Sequence, residues 1–175
     1  MANKAVFGIA TSQAQAEQIA LQLKDAGFSG NDVSILFPDK TGSRDFAHEG
    51  HSKAPEGAAT GAGTGVVLGG GLGWLVGIGA LAIPGVGPFI AAGPIMAALA
   101  GAAVGAAAGG LTGALVGLGI PEYEAKQYEG KILKGNMLIS VHTEDSKEVT
   151  TAKEIFKRCG AQDISYTGEK RVKAA

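Results

Sequence analysis

The chain has 175 residues, a formal net charge of −1, 46% hydrophobic residues and only 6% aromatic residues. That length suits one domain plus an insertion, and a near-neutral charge with no basic cluster lacks the footprint of a nucleic-acid binder, so no nucleic-acid partner is expected. A single cysteine, Cys159, excludes an internal disulfide and a cysteine-based metal site, which fits a reducing, cytoplasmic setting.

The N-terminus runs Met1-Ala2-Asn3-Lys4 directly into the strand-like segment Ala5 to Ala10, where a secretory signal would show a charged region followed by an apolar one. Thr11-Ser12 then marks a helix start, with Ser12 and Gln15 spaced as a capping box. Ala16, Ile19, Ala20 and Leu23 recur at helical spacing and Gly27 stands where the helix should stop. Asp32 to Phe37 reads as a second strand closed by Pro38-Asp39. Residues 1–39 thus form a strand-helix-strand unit, and residues 40–56 are a polar linker.

From Gly57 to Ile120 the chain holds no Asp, Glu, Lys, Arg or His. Two rows of small residues repeat every fourth position: Gly57, Gly61, Gly65, Gly69, Gly73 and Gly77, then Gly93, Ala97, Gly101, Gly105, Gly109, Gly113 and Gly117. Each glycine costs about 1 kcal/mol relative to alanine in a helix interior, so such helices need compensating close packing. Small residues four apart let two helix backbones approach, in slanted ridges that cross at about −40 to −50°. The prolines and glycines of Ile83-Pro84-Gly85-Val86-Gly87-Pro88 and Gly93-Pro94 separate the rows. The expectation is a glycine-zipper helical hairpin, with arms at about Gly57–Leu81 and Pro94–Gly119 and a short helical lead-in from Pro88.

Each arm would span roughly 35 to 40 Å, enough to cross a bilayer core of about 30 Å, so membrane lipid is the expected partner and the cytoplasmic membrane the expected location. Lys40, Arg44 and Lys53 precede the hairpin and Lys126, Lys131 and Lys134 follow it, which places both termini in the cytoplasm. The second reading is a soluble homo-oligomer in which hairpins bury one another, since a helix apolar all round must be covered by lipid or by protein.

Pro121 opens a connecting helix over 121–135, with Glu122 and Glu124 near its positive end and Gly135-Asn136 at its stop. Met137 to His142 is a third strand. Asp145 and Glu148 start a helix bearing Val149, Ala152, Ile155, Phe156 and Cys159, and Asp163 to Tyr166 is a fourth strand ahead of a charged tail over 169–175. Without the insertion the order is βαβ-βαβ, so the fold class is α+β: a ferredoxin-like, four-stranded antiparallel sheet with two helices on one face. Residues 136–168 form its second half, and the glycine hairpin lies between the second and third strands.

Several segments carry a family resemblance: Val6 to Phe37, the run His48-Glu49-Gly50-His51-Ser52-Lys53-Ala54-Pro55-Glu56-Gly57, the tip Ile83 to Pro88, and Gly117 to Glu122 leading into Gly135 to Val141. Together they resemble the bacterial general stress, heat-induced stress protein domain family of the YflT type. The resemblance implies a stress-induced bacterial protein with no known catalytic activity.

The chemistry-bearing residues are few. His48 and His51, three apart beside Asp45 and Glu49, are weak metal candidates whose spacing is not that of the His-Glu-x-x-His zinc motif; a solvated linker explains them equally. His142 reads as a sheet-surface residue and Cys159 as a buried inert thiol. Gly69 to Gly73 lacks the Lys and Ser/Thr of a phosphate loop, so no nucleotide or other cofactor is expected. No catalytic constellation assembles, and a non-enzymatic role is expected. Tyr123 and Tyr128 are candidates for interfacial anchors or for packing on the sheet. A third class, a ligand-sensing regulatory module, has no residues that favour it.

Overall fold

The computed structural model describes residues 4–39, 72, 74–75, 79–83, 87–101 and 103–168. Along the chain run β1 (Lys4–Ala10), α1 (Gln13–Asp25), β2 (Val33–Pro38), β3 (Gly79–Ile83), β4 (Gly87–Ala92), α2 (Pro94–Gly101) and α3 (Ala103–Gly117). They are followed by α4 (Glu122–Leu133), β5 (Met137–Thr143), α5 (Ser146–Arg158) and β6 (Gln162–Gly168). The class is α+β, and the strands form one antiparallel sheet in the order β3-β4-β2-β5-β1-β6.

The sheet has six strands where four were expected. The extra pair comes from the uncharged stretch. Gly79 to Leu81, assigned in the sequence to the end of the first helical arm, fall in β3, and the helical lead-in expected from Pro88 is instead part of β4. A Pro-Gly cluster between two short apolar runs serves a strand hairpin as well as a helical one. What decides between them is β2, whose outer row of backbone groups gains partners when Ile35 to Pro38 pairs with Phe89 to Ala92.

Both faces of the sheet are covered, where helices on one face were expected. Val6, Val33, Ile35, Ile90, Ile139 and Val141 point to the side on which α1 and α5 pack through Ile19, Leu23, Ile155 and Phe156. Phe7, Ile9, Leu36, Phe89 and Leu138 point to the other side, against Ile95, Leu111 and Leu115 of α2 and α3 and Tyr128 and Ile132 of α4. Residues 4–10 and 33–37 therefore read as nearly unbroken apolar runs, because a strand covered on both sides has no solvent face to mark with polar residues.

The two amphipathic helices on the first face are capped by their own flanking residues. Ser12 Oγ accepts from the Gln15 amide at 3.2 Å, while Gln15 Oε1 accepts from the Thr11 amide at 2.7 Å, so the expected capping box closes one residue further out. Asp145 Oδ1 accepts from the Lys147 amide at 2.8 Å.

Candidate functional site

The uncharged stretch is the feature that sets this chain apart, and its described part from Gly79 onward is built into the body of the domain. Of the first glycine row, Gly57, Gly61, Gly65, Gly69, Gly73 and Gly77 lie outside the described residues, as do His48 and His51. The second row is described, and it does not run along one continuous helix. Gly93 precedes α2, Gly101 ends it, and Gly105, Gly109, Gly113 and Gly117 fall in α3. Inside α3 the chain kinks at Gly110, whose φ of 57° and ψ of −150° are accessible essentially to glycine alone.

The row also lacks a uniform packing role. A Cβ on Gly93 would lie 2.2 Å from the Val33 carbonyl oxygen, and its φ of 75° is left-handed. At Gly117 nothing among the described residues lies within 4 Å of the same position. Gly93 lets α2 start directly against β2, where Ser34 Oγ accepts from the Ile95 amide at 3.1 Å. Ser34 and Ser140 are buried polar residues, each flanked along its strand by buried apolar residues. Ser34 thus satisfies one of the orphan amides that every helix start leaves open. Nothing in its spacing announced this role; the only signal was a hydroxyl inside an apolar run.

Among the described residues no helix is long and apolar enough to cross a membrane. This overturns the expected transmembrane second arm: Pro94–Gly119 is divided into α2 and α3, kinked at Gly110, and packed on the sheet. Physically, its apolar residues found a partner in the second sheet face, which two helices could not have covered from the other side.

Just ahead of β3 the chain is anchored to the first face. Leu72 and Leu75 are buried there, with the Leu75 amide donating to the Leu72 carbonyl at 3.0 Å. Trp74 lies over Gly30, where a Cβ would come 2.5 Å from the Trp74 carbonyl oxygen.

Surface depressions among the described residues include two with polar side chains in their lining. One, of about 380 Å³, is lined by Asp32, His142, Thr143, Glu144 and Glu148. His142 meets Phe7 edge-on at 6.4 Å and places Nε2 3.2 Å from Ser140 Oγ, and the Thr143 hydroxyl donates to Glu148. No group of three or more His, Cys, Asp or Glu side chains among the described residues is arranged to hold a metal ion. The other, of about 500 Å³, lies between α3 and α4 and includes Thr112, Val116, Lys126 and Glu129. On its rim Glu122 and Lys126 pair at 2.7 Å, which lowers the Glu122 pKa and raises that of Lys126 through their shared hydrogen bond and charge attraction.

Tyr123 is exposed, whereas Tyr128 is buried on the sheet. The Tyr128 hydroxyl donates to the Asp163 carbonyl at 2.8 Å and lies 2.7 Å from Ser165 Oγ. Burial pushes its pKa up to about 12, against the opposing effect of the Ser165 hydrogen bond. Cys159 is half-buried at the end of α5, its thiol pKa raised by burial. The Arg158 charge opposes the effect of burial at Cys159. No protein-family model, curated protein or solved structure matches the chain.

Proposed function

We propose that this chain is a non-enzymatic structural module that assembles with copies of itself, built on a ferredoxin-like core. The strand order β6-β1-β5-β2, with α1 and α5 on one face, supports that assignment of the core. The inserted β3-β4 hairpin and α2 to α4 are then an addition that widens the sheet and covers its second face.

The observation that carries the reading is the use made of the uncharged stretch. Phe89 of β4 and Ile95, Leu99, Leu111 and Leu115 of α2 and α3 are all buried together in the core on the second face of the sheet. A sequence whose apolar residues work in this way points to protein partners, and small-residue repeats such as Gly57 to Gly69 suit close backbone approach between chains. The resemblance to the YflT-type general stress family implies a setting for it: a bacterial protein made under stress, with no known catalytic activity.

Light scattering on the size-separated full chain tests this directly. The expected result is a particle of two or more chains, with Gly65→Leu reducing the assembled fraction. A wild-type chain that stays monomeric across a wide concentration range refutes the reading.

A further inference from the structure

Burial holds β6 less firmly than it holds the strands beside it. β1, β2 and β5 each carry four or more buried residues, whereas β6 carries none, and its Ile164 is only partly buried against the first-face core. The ladder that joins it to β1 is also interrupted. Phe7 pairs with Ser165 and Ile9 with Gln162, so Asp163 and Ile164 together stand opposite Gly8. Such a bulge leaves one residue without a ladder partner, and Asp163 takes a left-handed φ of 47° there.

The bulge is where α4 takes hold. The Tyr128 hydroxyl donates to the Asp163 carbonyl at 2.8 Å and lies 2.7 Å from Ser165 Oγ. Lys131 pairs with the Asp163 carboxylate and donates to Gln162 Oε1 at 3.1 Å. From the first face, Lys153 of α5 sits 4.4 Å from the Tyr166 ring centroid. The chain ahead of β6 is fixed: Gln15 Nε2 donates to the Cys159 carbonyl at 2.8 Å, and the Ala161 amide donates to the Phe156 carbonyl at 2.9 Å. Any parting of β6 from β1 therefore begins beyond Ala161.

We infer that α4 is a latch on β6: the strand parts from β1 as a unit while the rest of the sheet stays folded, and Tyr128 and Lys131 set how often it does so. α4 otherwise belongs to the cover of the second face, where Ala125, Tyr128 and Ile132 are buried. The cover and the C-terminal strand are thus coupled through Asp163. Opening bares the outer row of β1 backbone groups, the kind of edge that accepts another strand. The device stands whether or not the chain self-associates.

Hydrogen exchange on the full chain at one concentration, repeated across low urea, is the test. It is read at the β6 amides that face β1 and at those of 138–141 in β5. In the wild type the β6 amides should exchange at least about tenfold faster than those of β5, with a shallower dependence on urea. Ile19→Val in α1 should speed the β5 amides about threefold to tenfold and leave β6 unchanged, because α1 stays folded when β6 opens. Tyr128→Phe should speed β6 about fivefold and Lys131→Met about twofold to fivefold, since the latch is broken in the opened state. If Tyr128→Phe fails to fold, Lys131→Met decides in its place. Exchange and urea dependence that match between β6 and β5 in the wild type overturn the separate opening, as does a β6 that follows β5 in Ile19→Val. A β6 that opens by itself yet is unmoved by the α4 variants overturns the latch.

Discussion

The two faces of the sheet are covered by helices of opposite kinds. On one side α1 and α5 are amphipathic, charged on their outer surfaces and capped by Ser12 and Asp145 from their own flanking residues. On the other, α2 and α3 contain no charged residue, and the α2 start is satisfied by Ser34 from a neighbouring strand. The first pair carry their positions in their own sequences. The second pair take theirs from the sheet, since a helix apolar on all sides has no preferred buried stripe of its own.

The largest effect expected from breaking that difference is at Gly93. Gly93→Ala sets a Cβ against the Val33 carbonyl at a left-handed φ, and strain plus overpacking should cost about 3 kcal/mol or more. Gly117→Ala, where no described residue lies within 4 Å of the added Cβ, should be neutral or stabilising by up to about 1 kcal/mol. Urea unfolding of the two variants measures both, and equal effects would show that the glycine row acts as a unit.

Smaller is the contrast between caps. Ser34→Ala leaves the buried Ile95 amide without its acceptor and should cost about 1 to 3 kcal/mol. Ser12→Ala, on an exposed helix start, should cost about 1 kcal/mol or less. Chemical denaturation that ranks Ser12 above Ser34 would reverse the view that the second face depends on the sheet for its helix start.

Tyr128 sharpens the comparison through pH. Its folded-state pKa is raised above the ordinary phenol value of 10.0 to about 12, so its contribution is complete below pH 10 and is lost as pH rises toward and through 12. Tyr128→Phe should unfold with a shallower alkaline decline than wild type, at a cost near 1 kcal/mol at neutral pH from the lost hydrogen bonds. Thermal melts between pH 8 and about 12 on both proteins give the difference. The least effect belongs to Glu122→Gln, which removes an ion pair lying wholly in solvent; thermal melts at neutral pH should not separate it from wild type.

The strand-helix-strand halves were legible because their signals are local. Apolar positions recurring at helical spacing at Ala16, Ile19, Ala20 and Leu23, a cap at Ser12 and a stop at Gly27 define α1 without reference to any other element. The same holds for Asp145 and the buried Val149, Ala152, Ile155 and Phe156 of α5. The breaks read in the uncharged stretch fall between the end of β3 at Ile83 and the start of β4 at Gly87, and at Gly93-Pro94 ahead of α2, yet its state was misread. Four-residue glycine spacing is compatible with a helix ridge in lipid, a helix against a sheet, or residues that straddle a strand and a helix.

What the amino-acid sequence determined by itself is therefore the antiparallel α+β class, the elements on either side of the insertion, and the places where the insertion must turn. The tertiary structure decided that Gly79–Ile83 is a strand, that α2 and α3 lie on the second face, and that Gly93 and Ser34 form the seat of α2. The reason is physical: periodicity and caps act over a few residues, whereas an apolar, uncharged segment carries no local cue for its cover. Its state is set by whichever surface remains unburied elsewhere, here the open edge of β2 and the second face of the sheet.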